Sequence, residues 1–466
     1  MTRSVDQILT VEQMRAAEGA LIVAGDSVET LMDRAGRGAA EWVWRIAANR
    51  PVTVLCGPGN NGGDGYVIAE AIRERGGIVR VIAAGEPRTD AARNARALFA
   101  GEVSGPDAAG DGDVLVDCLF GSGLARPLND QHVSLLSRLA ASHRHAIAID
   151  LPSGVQADSG LLLNDGLPRY DLTVALGAWK FAHFLMPAAE MMGALRFVGI
   201  GCAAVGRAAT VLARPRFVAP PAEAHKYRRG LLGIVGGAMP GAATLAARAA
   251  QGSGAGYVKL LAQMPEAVPA DVVTDASPLI EALDDGRIGA LLIGSGLGRS
   301  GVARERLATT LAVQVPLVLD ADALVLLTPR LLGERAAPII ATPHEGELFA
   351  LERAFDCLGS GSKVERAVDL ARASGMVIVA KGPDTVIAAP DGAVTGCPRA
   401  SSWLSTAGTG DVLAGTIASR LATGADAFAA AGEGVWLHGQ AAGRCPPAFT
   451  AGQLASAVAC AYASAL

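Results

Sequence analysis

The run Val52-Thr53-Val54-Leu55-Cys56-Gly57-Pro58-Gly59-Asn60-Asn61-Gly62-Gly63-Asp64-Gly65 decides the fold class of the amino-terminal half. A short, largely apolar strand (residues 52–56) ends in glycines, and the pattern predicts a helix after them over residues 67–75. Further apolar runs of the same kind follow at residues 79–83, 114–116, 146–149 and 172–176. Apolar strands separated by helices predict a parallel sheet covered on both faces, which is a Rossmann-like, doubly wound α/β domain.

The same alternation of strands and helices restarts in the second half of the chain. Between the halves, residues 214–221 are rich in proline and lack periodicity, which is typical of a linker. Beyond them, strands are predicted at 233–235, 258–261, 290–293, 317–319, 339–341 and 377–380, and helices at 412–421, 427–443 and 453–464. We therefore expect two three-layer α/β domains, residues 1–213 and 222–466.

Composition excludes several classes of protein. The 466 residues include 40 Lys and Arg against 45 Asp and Glu, so the net charge of −5 gives no field that would attract nucleic acid. Seven cysteines without a C-x-x-C pair disfavour a disulfide framework or a zinc ribbon. The start lacks a signal-peptide pattern, and the long uncharged stretches are broken by glycine, proline and polar residues. We expect a cytoplasmic protein with no membrane partner.

The glycine-rich run can also carry chemistry. Gly57, Gly59 and Gly62 satisfy the dinucleotide pattern G-x-G-x-x-G, which alone is a weak signal that a tight turn also explains. Consecutive glycines let backbone N–H groups approach a phosphate at a helix N-terminus, and Asn60, Asn61 and Asp64 add oxygen atoms that a plain turn does not need.

Polar residues also follow three other strands of this half. Asp117, Asp150 and Lys180 each come after an apolar run, and the carboxyl ends of parallel strands meet at one crevice. Two carboxylates, an amide pair and a hydroxyl there can hold a monovalent cation. Each aspartate taken alone is explained equally well as a helix cap or a turn residue.

Three blocks in this order resemble the NAD(P)H-hydrate epimerase family: residues 57–65, Asp117 with Phe120-Gly121-Ser122-Gly123, and Asp150-Leu151-Pro152-Ser153-Gly154-Val155. The resemblance covers about residues 9–200. It implies contacts with the hydrated dinucleotide at Asn60, Asn61, Gly62, Gly63, Asp64, Gly121, Ser122, Gly123, Leu124, Ala125, Arg126, Pro127 and Asp150.

The same resemblance implies a K⁺ ion at Asn61, Asp117 and Ser153, and it makes Asp150 the acid/base that inverts the hydrated ring carbon. A carboxyl group sheltered from water can have a raised pKa and so both give and accept a proton, which is our expectation for Asp150. The part played by Lys180 stays open.

In the second half, Gly408-Thr409-Gly410-Asp411 opens a predicted helix. The two glycines allow N–H groups to reach a phosphate, and the helix dipole favours its negative charge. Asp411 beside that phosphate suits a general base, although an ordinary first-turn aspartate is the alternative. Lys381 with Gly382 suits a phosphate contact, and no Walker loop is present.

This half resembles the ribokinase-like superfamily and, within it, ADP- or ATP-dependent NAD(P)H-hydrate dehydratases. The matching residues include His225-Lys226, Asp320-Ala321-Asp322-Ala323-Leu324, Thr342-Pro343-His344, Lys381-Gly382 and Gly408 to Asp411. The resemblance implies ADP contacts at Lys381, Gly382, Pro383, Asp384, Thr385 and Gly410, and hydrate contacts at Ala243, Gly296, His344 and Asp411. It also implies a homo-oligomer, with a tetramer among the candidates. We expect Mg²⁺ to accompany the nucleotide, because it neutralises phosphate charge.

Together the halves resemble a bifunctional repair enzyme for the hydrates NADHX and NADPHX. The first domain is expected to interconvert the R and S epimers, and the second to dehydrate the S form with ADP, giving AMP and phosphate. Three alternatives remain at this point. They are a small-molecule kinase fused to an accessory domain, a dinucleotide-binding sensor, and an oxidoreductase that uses Gly57 to Gly62 as a Rossmann loop.

Overall fold

The computed structural model describes residues 4–110, 112–262 and 268–466. It divides the chain into two compact units, Met1–Thr210 and Val211–Leu466. Each unit is α/β with a mainly parallel sheet, which confirms the fold class predicted from the strand and helix pattern. The predicted linker, residues 214–221, belongs to the second unit.

The amino-terminal unit is built on a seven-stranded sheet in which all pairs are parallel. The strands of this half are β1 (Gln7–Ile8), β2 (Val52–Cys56), β3 (Val79–Ala83), β4 (Val103–Ser104), β5 (Gly112–Cys118), β6 (His143–Ile149), β7 (Leu172–Leu176), β8 (Ala194–Val198) and β9 (Ala209–Val211). The sheet order is β4-β3-β2-β5-β6-β7-β8, and β1 pairs antiparallel with β9. The helices are α1 (Val11–Val23), α2 (Val28–Ala47), α3 (Asn60–Glu74), α4 (Asp90–Leu98) and α5 (Asp130–Ser142).

Alternate residues of the central strands fill two cores. Val54 and Cys56 pack into the core that also contains residues of α2 and α3, whereas Leu55 packs into a second core with residues of α5. Successive side chains of a strand point to opposite faces of its sheet, so an uninterrupted apolar run is what a sheet covered on both faces requires.

Helix α3 begins earlier than the sequence predicts. It starts at Asn60 rather than at residue 67, so the glycine-rich run forms the first turns of the helix instead of a loop. A Cβ atom on Gly62 would lie 1.8 Å from the carbonyl oxygen of Gly57. Glycine is therefore needed here because the helix packs directly against the end of β2, and the low helix propensity of glycine hides the true start.

Nine strands of the second unit belong to one sheet. These strands are β10 (Leu231–Val235), β11 (Tyr257–Leu261), β12 (Val273–Asp275), β13 (Ile288–Ile293), β14 (Leu317–Leu319), β15 (Ile339–Ala341), β16 (Val377–Ala380), β17 (Val386–Ala388) and β18 (Val394–Gly396). They lie in the order β12-β11-β10-β13-β14-β15-β16-β17-β18. The pairs from β12 to β16 are parallel, and β17 and β18 add an antiparallel edge.

The helices of this unit are α6 (Pro240–Gln251), α7 (Leu279–Ala282), α8 (Gly301–Ala312), α9 (Asp322–Leu326), α10 (Pro329–Leu332), α11 (Glu345–Ala354), α12 (Lys363–Ser374), α13 (Thr409–Ala422), α14 (Ala427–Ala442) and α15 (Ala451–Ala463). Helix α13 is buried along nearly its whole length, among α6, α14 and the sheet. Its apolar residues lie on all sides, as expected for a central helix.

The segment predicted as a linker is irregular but anchored. Phe217 is buried, its ring stacks on Tyr462 with centroids 4.4 Å apart, and its N–H donates to the carbonyl of Ala465 at 2.8 Å. All seven cysteines are free thiols. No helix in the described parts of the chain combines the length and apolar character needed to cross a bilayer.

Candidate active sites

A cavity of about 770 Å³ lies in the amino-terminal unit, beside the residues that follow strands β2, β5, β6 and β7. Its walls include the following residues that the sequence predicts: Asn60, Asn61, Asp64, Gly121, Ser122, Gly123, Leu124, Ala125, Arg126, Asp150 and Lys180. Three other predicted contacts do not line it. Gly62 and Gly63 are buried within α3, and Pro127 is exposed beyond the rim.

Asp150 and Lys180 form a buried ion pair in this cavity. Lys180 Nζ lies 2.5 Å from Asp150 Oδ1 and also donates to the carbonyl of Leu176 at 2.7 Å. Asp150 Oδ2 accepts the N–H of Ser122 at 2.9 Å. The expectation of a raised pKa for Asp150 is wrong. Burial does oppose ionisation, but the Lys180 charge and these hydrogen bonds outweigh it and lower the pKa of Asp150.

His183 holds the backbone of Asp150 in place through a hydrogen bond to its carbonyl group. Its Nδ1 accepts the Lys180 N–H at 2.9 Å, so the other ring nitrogen, Nε2, carries the proton and donates to the Asp150 carbonyl at 2.9 Å. Burial lowers the pKa of His183 to about 4, which keeps the ring neutral. The sequence analysis missed this residue, although its place three residues after Lys180 was a usable signal.

Of the three residues predicted to hold K⁺, Asp117 and Ser153 hydrogen bond to each other, whereas Asn61 lies beside Gly121. Asp117 Oδ1 accepts from Leu119 N and Ser153 Oγ, while Oδ2 accepts from Ser153 N and Tyr170 Oη. Four hydrogen bonds therefore already occupy its carboxylate. Both polar side-chain atoms of Asn61 are buried without a hydrogen-bond partner, so its oxygen fits a cation ligand.

Two further carboxyl groups face the same cavity. Burial raises the pKa of Glu18, a residue that the sequence analysis did not single out. Burial, together with the charges of Asp150 and Glu18, raises the pKa of Asp64 well above its usual range. The cavity thus combines an ionised aspartate with neighbouring carboxyl groups that hold protons more tightly.

In the second unit, Asp411 lies in the first turn of α13, three residues after the left-handed N-cap Gly408. Burial and the nearby charge of Asp320 raise the pKa of Asp411 to about 6, against the opposing effects of Ser295 and Lys381. A carboxylate whose pKa lies near neutrality is suited to take a proton and return it.

Lys381 follows β16 and lies close to the start of the same helix. Its Nζ is 2.9 Å from Asp320 Oδ1 and 3.9 Å from Glu347 Oε2, and it lies 3.6 Å from where a Cβ of Gly410 would be. Burial opposes its charge, but the acidic neighbours outweigh burial and raise the pKa of Lys381. The predicted phosphate contacts Lys381 and Gly410 are therefore together.

The rest of the predicted nucleotide segment forms the turn between β16 and β17. Asp384 pairs with Lys363 at 2.6 Å, while the Thr385 hydroxyl accepts the N–H of Gly382 and donates to its carbonyl. Pro383 is exposed in this turn. The segment is thus held by its own hydrogen bonds and by Lys363 of α12.

The remaining predicted hydrate contacts occupy different environments. His344 is the N-cap of α11, where its Nδ1 accepts the N–H of Gly346 at 3.0 Å and its ring is largely exposed. Gly296 lies against the residue that precedes α6, and Ala243 is buried within α6.

Comparisons with known proteins cover nearly the whole chain. Residues 28–182 match the family model described as YjeF-related protein N-terminus, and residues 232–463 match that described as NAD(P)H-hydrate dehydratase. The bifunctional NAD(P)H-hydrate repair enzyme Nnr of Gloeobacter violaceus is 34% identical, over 92% of this chain and 91% of the relative. The enzyme of the same name from Thermosynechococcus vestitus is 32% identical, over 93% and 92%.

The chain belongs to the family of bifunctional NAD(P)H-hydrate repair enzymes. This confirms the resemblance found in the sequence, and it makes the chain an enzyme whose halves correspond to an epimerase and a dehydratase. A crystal structure of ADP/ATP-dependent NAD(P)H-hydrate dehydratase from Bacillus subtilis with ATP and Mg²⁺ is 28% identical over 54% of this chain and 95% of its own, with a TM-score of 0.48.

In this NAD(P)H-hydrate repair enzyme the two matched segments contain the two clusters. The amino-terminal match includes Asp117, Asp150 and Lys180, and the dehydratase match includes Lys381 and Asp411. Each cluster thus lies within the half that bears the corresponding activity.

Proposed function

We propose that the second unit dehydrates the S form of NAD(P)H hydrate with ADP as the phosphoryl donor, giving AMP and phosphate. The observation that carries this proposal is the position of Asp411. Its carboxyl group lies in the first turn of α13, near Lys381 and Gly410, and its pKa is raised to about 6 by burial and by Asp320.

The chemistry follows from that placement. Asp411 takes the proton of the ring hydroxyl while the hydroxyl oxygen attacks the terminal phosphorus of ADP, and the bond from that phosphorus to AMP breaks. Phosphate then leaves with the electron pair of the ring C–O bond, and a neighbouring ring carbon loses a proton to form the double bond. Phosphorylation is needed because hydroxide is a poor leaving group. Lys381 and the N–H groups at the start of α13 hold the phosphates.

Mg²⁺ would neutralise phosphate charge in this reaction. In the described residues, no group of three or more His, Cys, Asp or Glu side chains is arranged to hold a metal ion. The carboxylates of Asp320 and Glu347 face the Lys381 ammonium, so a side chain of the protein already supplies the positive charge beside them. Mg²⁺ would therefore arrive on the nucleotide rather than in a protein cage.

We further propose that the amino-terminal unit interconverts the R and S epimers of the hydrate. Asp150 acts as the base, because Lys180 and Ser122 keep its carboxylate ionised. The unpartnered oxygen of Asn61 is the atom free to bind K⁺, which would supply a fixed positive charge beside the dinucleotide, whereas Asp117 and Ser153 would have to give up hydrogen bonds to bind it. The cavity of about 770 Å³ accommodates part of such a ligand.

The decisive experiment is incubation of the enzyme with a mixed-epimer hydrate, Mg²⁺ and ADP. Absorbance at the reduced nicotinamide band should recover, with one phosphate released per NAD(P)H formed. Asp411→Asn should lose at least about a hundredfold in rate, because a general base is removed, while ADP binding persists. Omitting ADP is the control.

The same experiment separates the alternatives. A stable phosphorylated product would indicate a small-molecule kinase, and dependence on a second redox substrate would indicate an oxidoreductase. Undiminished turnover of Asp411→Asn would reject Asp411 as the base. Recovery with ATP but not with ADP would reject the ADP assignment alone.

A further inference from the structure

Helix α1 forms one wall of the amino-terminal cavity, and the proposed epimerisation gives its residues no part. The α1 residues that line the cavity recur every three or four positions, so they share one face of the helix. They are Val11, Met14, Arg15, Glu18 and Ile22. Glu18 is the one acidic residue of this face, and it is half-buried.

The face reaches the end of strand β7, beside the Asp150–Lys180 ion pair. A Cβ atom on Gly177, which follows β7, would lie 2.3 Å from Met14 Cε. Lys180 Nζ donates to the last carbonyl of the same strand at 2.7 Å, and Asp150 follows the neighbouring strand β6. Glu18 lies one helical turn beyond Met14. It therefore enters the cavity from a different element than Asp150 does.

The carboxyl groups of Asp150 and Glu18 differ in how firmly they hold a proton. Lys180 Nζ lies 2.5 Å from Asp150 Oδ1 and helps to lower the pKa of Asp150. Burial raises the pKa of Glu18 although the charge of Lys180 opposes it, and the negative charge of Asp150 adds to burial. Two carboxyl groups whose pKa values are pushed apart can serve as base and acid in one site.

Inversion of the hydrated ring carbon through loss and return of water needs both roles. The ring hydroxyl leaves as water only when it receives a proton, while the ring nitrogen supplies the electron pair for a C=N bond. A second water molecule must then add to the other face of the ring and give up a proton. An ionised aspartate performs the second transfer but has no proton for the first.

We propose that Glu18 is the catalytic acid of the epimerase and acts together with Asp150 as the base. The Glu18 O–H gives its proton to the leaving hydroxyl, the ring C–O bond breaks, and water departs. Asp150 takes a proton from the entering water as its oxygen bonds to the carbon. One proton has then moved from Glu18 to Asp150, and solvent restores the starting state. In the reverse direction the two groups exchange roles. This inference rests on the proposed epimerase function.

The groups whose charge acts on Glu18, or on which Glu18 acts, belong to several elements. They are Arg15 of α1, Asp64 of α3, Asp150 after β6, Lys180 after β7 and Cys202 after β8. Burial raises the pKa of Asp64 as well, so Asp64 is the rival candidate for the acid. Arg126 is the remaining charged residue of the cavity wall.

The test starts from the pure R epimer of the NADH hydrate and the full-length protein in H₂¹⁸O without ADP. The wild type should form the S epimer with ¹⁸O on the inverted carbon, above an enzyme-free background. Glu18→Gln should lower kcat about a hundredfold with little change in KM, because it removes a proton donor of the same shape. The matched control is Glu12→Gln on the same helix, which is exposed and outside the cavity and should keep the wild-type rate.

The pH profile separates an acid from a residue that only shapes the cavity. The proton of Glu18 is present below its raised pKa and is lost as the pH rises through it, so the wild-type rate should fall on the alkaline side. Glu18→Asp keeps an acid and should recover at least about tenfold over Glu18→Gln, with the same alkaline fall. The residual rate of Glu18→Gln should lack that fall.

Four results would overturn the role of Glu18. They are an undiminished rate in Glu18→Gln, equal rates of the Gln and Asp variants, a loss confined to Asp64→Asn, and an S epimer without ¹⁸O. A wild-type protein that forms no S epimer at all would overturn the proposed epimerase function instead.

Discussion

Lys180 places an ammonium group in the interior of the amino-terminal unit with Asp150 as its charge partner. The lysine side chain is 1% exposed and that of Asp150 is 10% exposed. An isolated charge is costly to bury, so each of these residues makes the other acceptable. Their separation of 30 residues in sequence explains why the sequence did not predict the pair.

Lys180→Met should destabilise the amino-terminal unit by about 3–5 kcal/mol, because it leaves the Asp150 carboxylate buried without a counter-ion. The measurement is the unfolding transition of that unit in urea. The double variant Lys180→Met with Asp150→Asn is the control and should recover much of the loss, since no charge is then left unpaired. A double variant as unstable as the single one would show that packing by the lysine stem dominates.

At residue scale, the sequence predicted positions better than it predicted environments. Asp150 and Asp411 both lie where the strand and helix patterns placed them, yet their pKa values shift in opposite directions. The difference arises because a buried lysine opposes burial at Asp150, whereas Asp320 adds to burial at Asp411. Such neighbours come from distant segments, and one sequence does not reveal them.

At the scale of elements, glycine was the main source of error. Apolar runs located most strands to within a few residues, as for β2, β3 and β7. The start of α3 was missed because the glycines in its first turns read as loop, whereas the Gly408 to Asp411 motif correctly marked where α13 opens. These glycines are needed because a Cβ atom would collide with neighbouring segments, and those close contacts exist only in the folded chain.

Helix α13 depends on such packing against α6. A Cβ on Gly415 would lie 2.1 Å from the carbonyl oxygen of Ala246, a backbone atom that cannot turn aside. Gly415→Ala should therefore cost about 1–3 kcal/mol in unfolding free energy of the second unit and should lower dehydration by displacing Asp411.

The matched control is Gly439→Ala on α14, where the nearest atom is 3.5 Å away. Because alanine favours a helix over glycine, this change should leave stability equal or raise it by up to about 1 kcal/mol. Thermal unfolding of the two variants checks the contrast. Equal stability of the two would refute the tight α6–α13 contact.

At the scale of the whole molecule, the repeated alternation of strands and helices was enough to predict two α/β units. What it did not predict is that the proline-rich segment, residues 214–221, packs into the core of the second unit. Phe217 stacks on Tyr462, and the guanidinium of Arg420 lies over both rings. No periodicity marks a single anchoring ring in an irregular segment.

Two activities in one chain lead to a prediction about yield. Asp150→Asn should stop epimer exchange but leave the dehydratase unit intact. With ADP, this variant should convert only the S epimer of a mixed hydrate to NAD(P)H, and the reaction should then stop. The wild type should continue until both epimers are consumed. Adding Asp411→Asn protein, whose first unit is intact, should restart the stalled reaction. Full recovery by Asp150→Asn alone would exclude Asp150 from epimerisation.

The acidic surroundings of Lys381 have a consequence for which nucleotide can enter. Asp320, Glu347 and Asp411 outnumber the single Lys381 ammonium that they face, so the local negative charge opposes the approach of a bare polyphosphate. A nucleotide already complexed with a divalent ion carries less negative charge and is admitted more easily. The charge balance around Lys381 thus favours the metal-complexed nucleotide over the free one before any contact to its base or ribose forms.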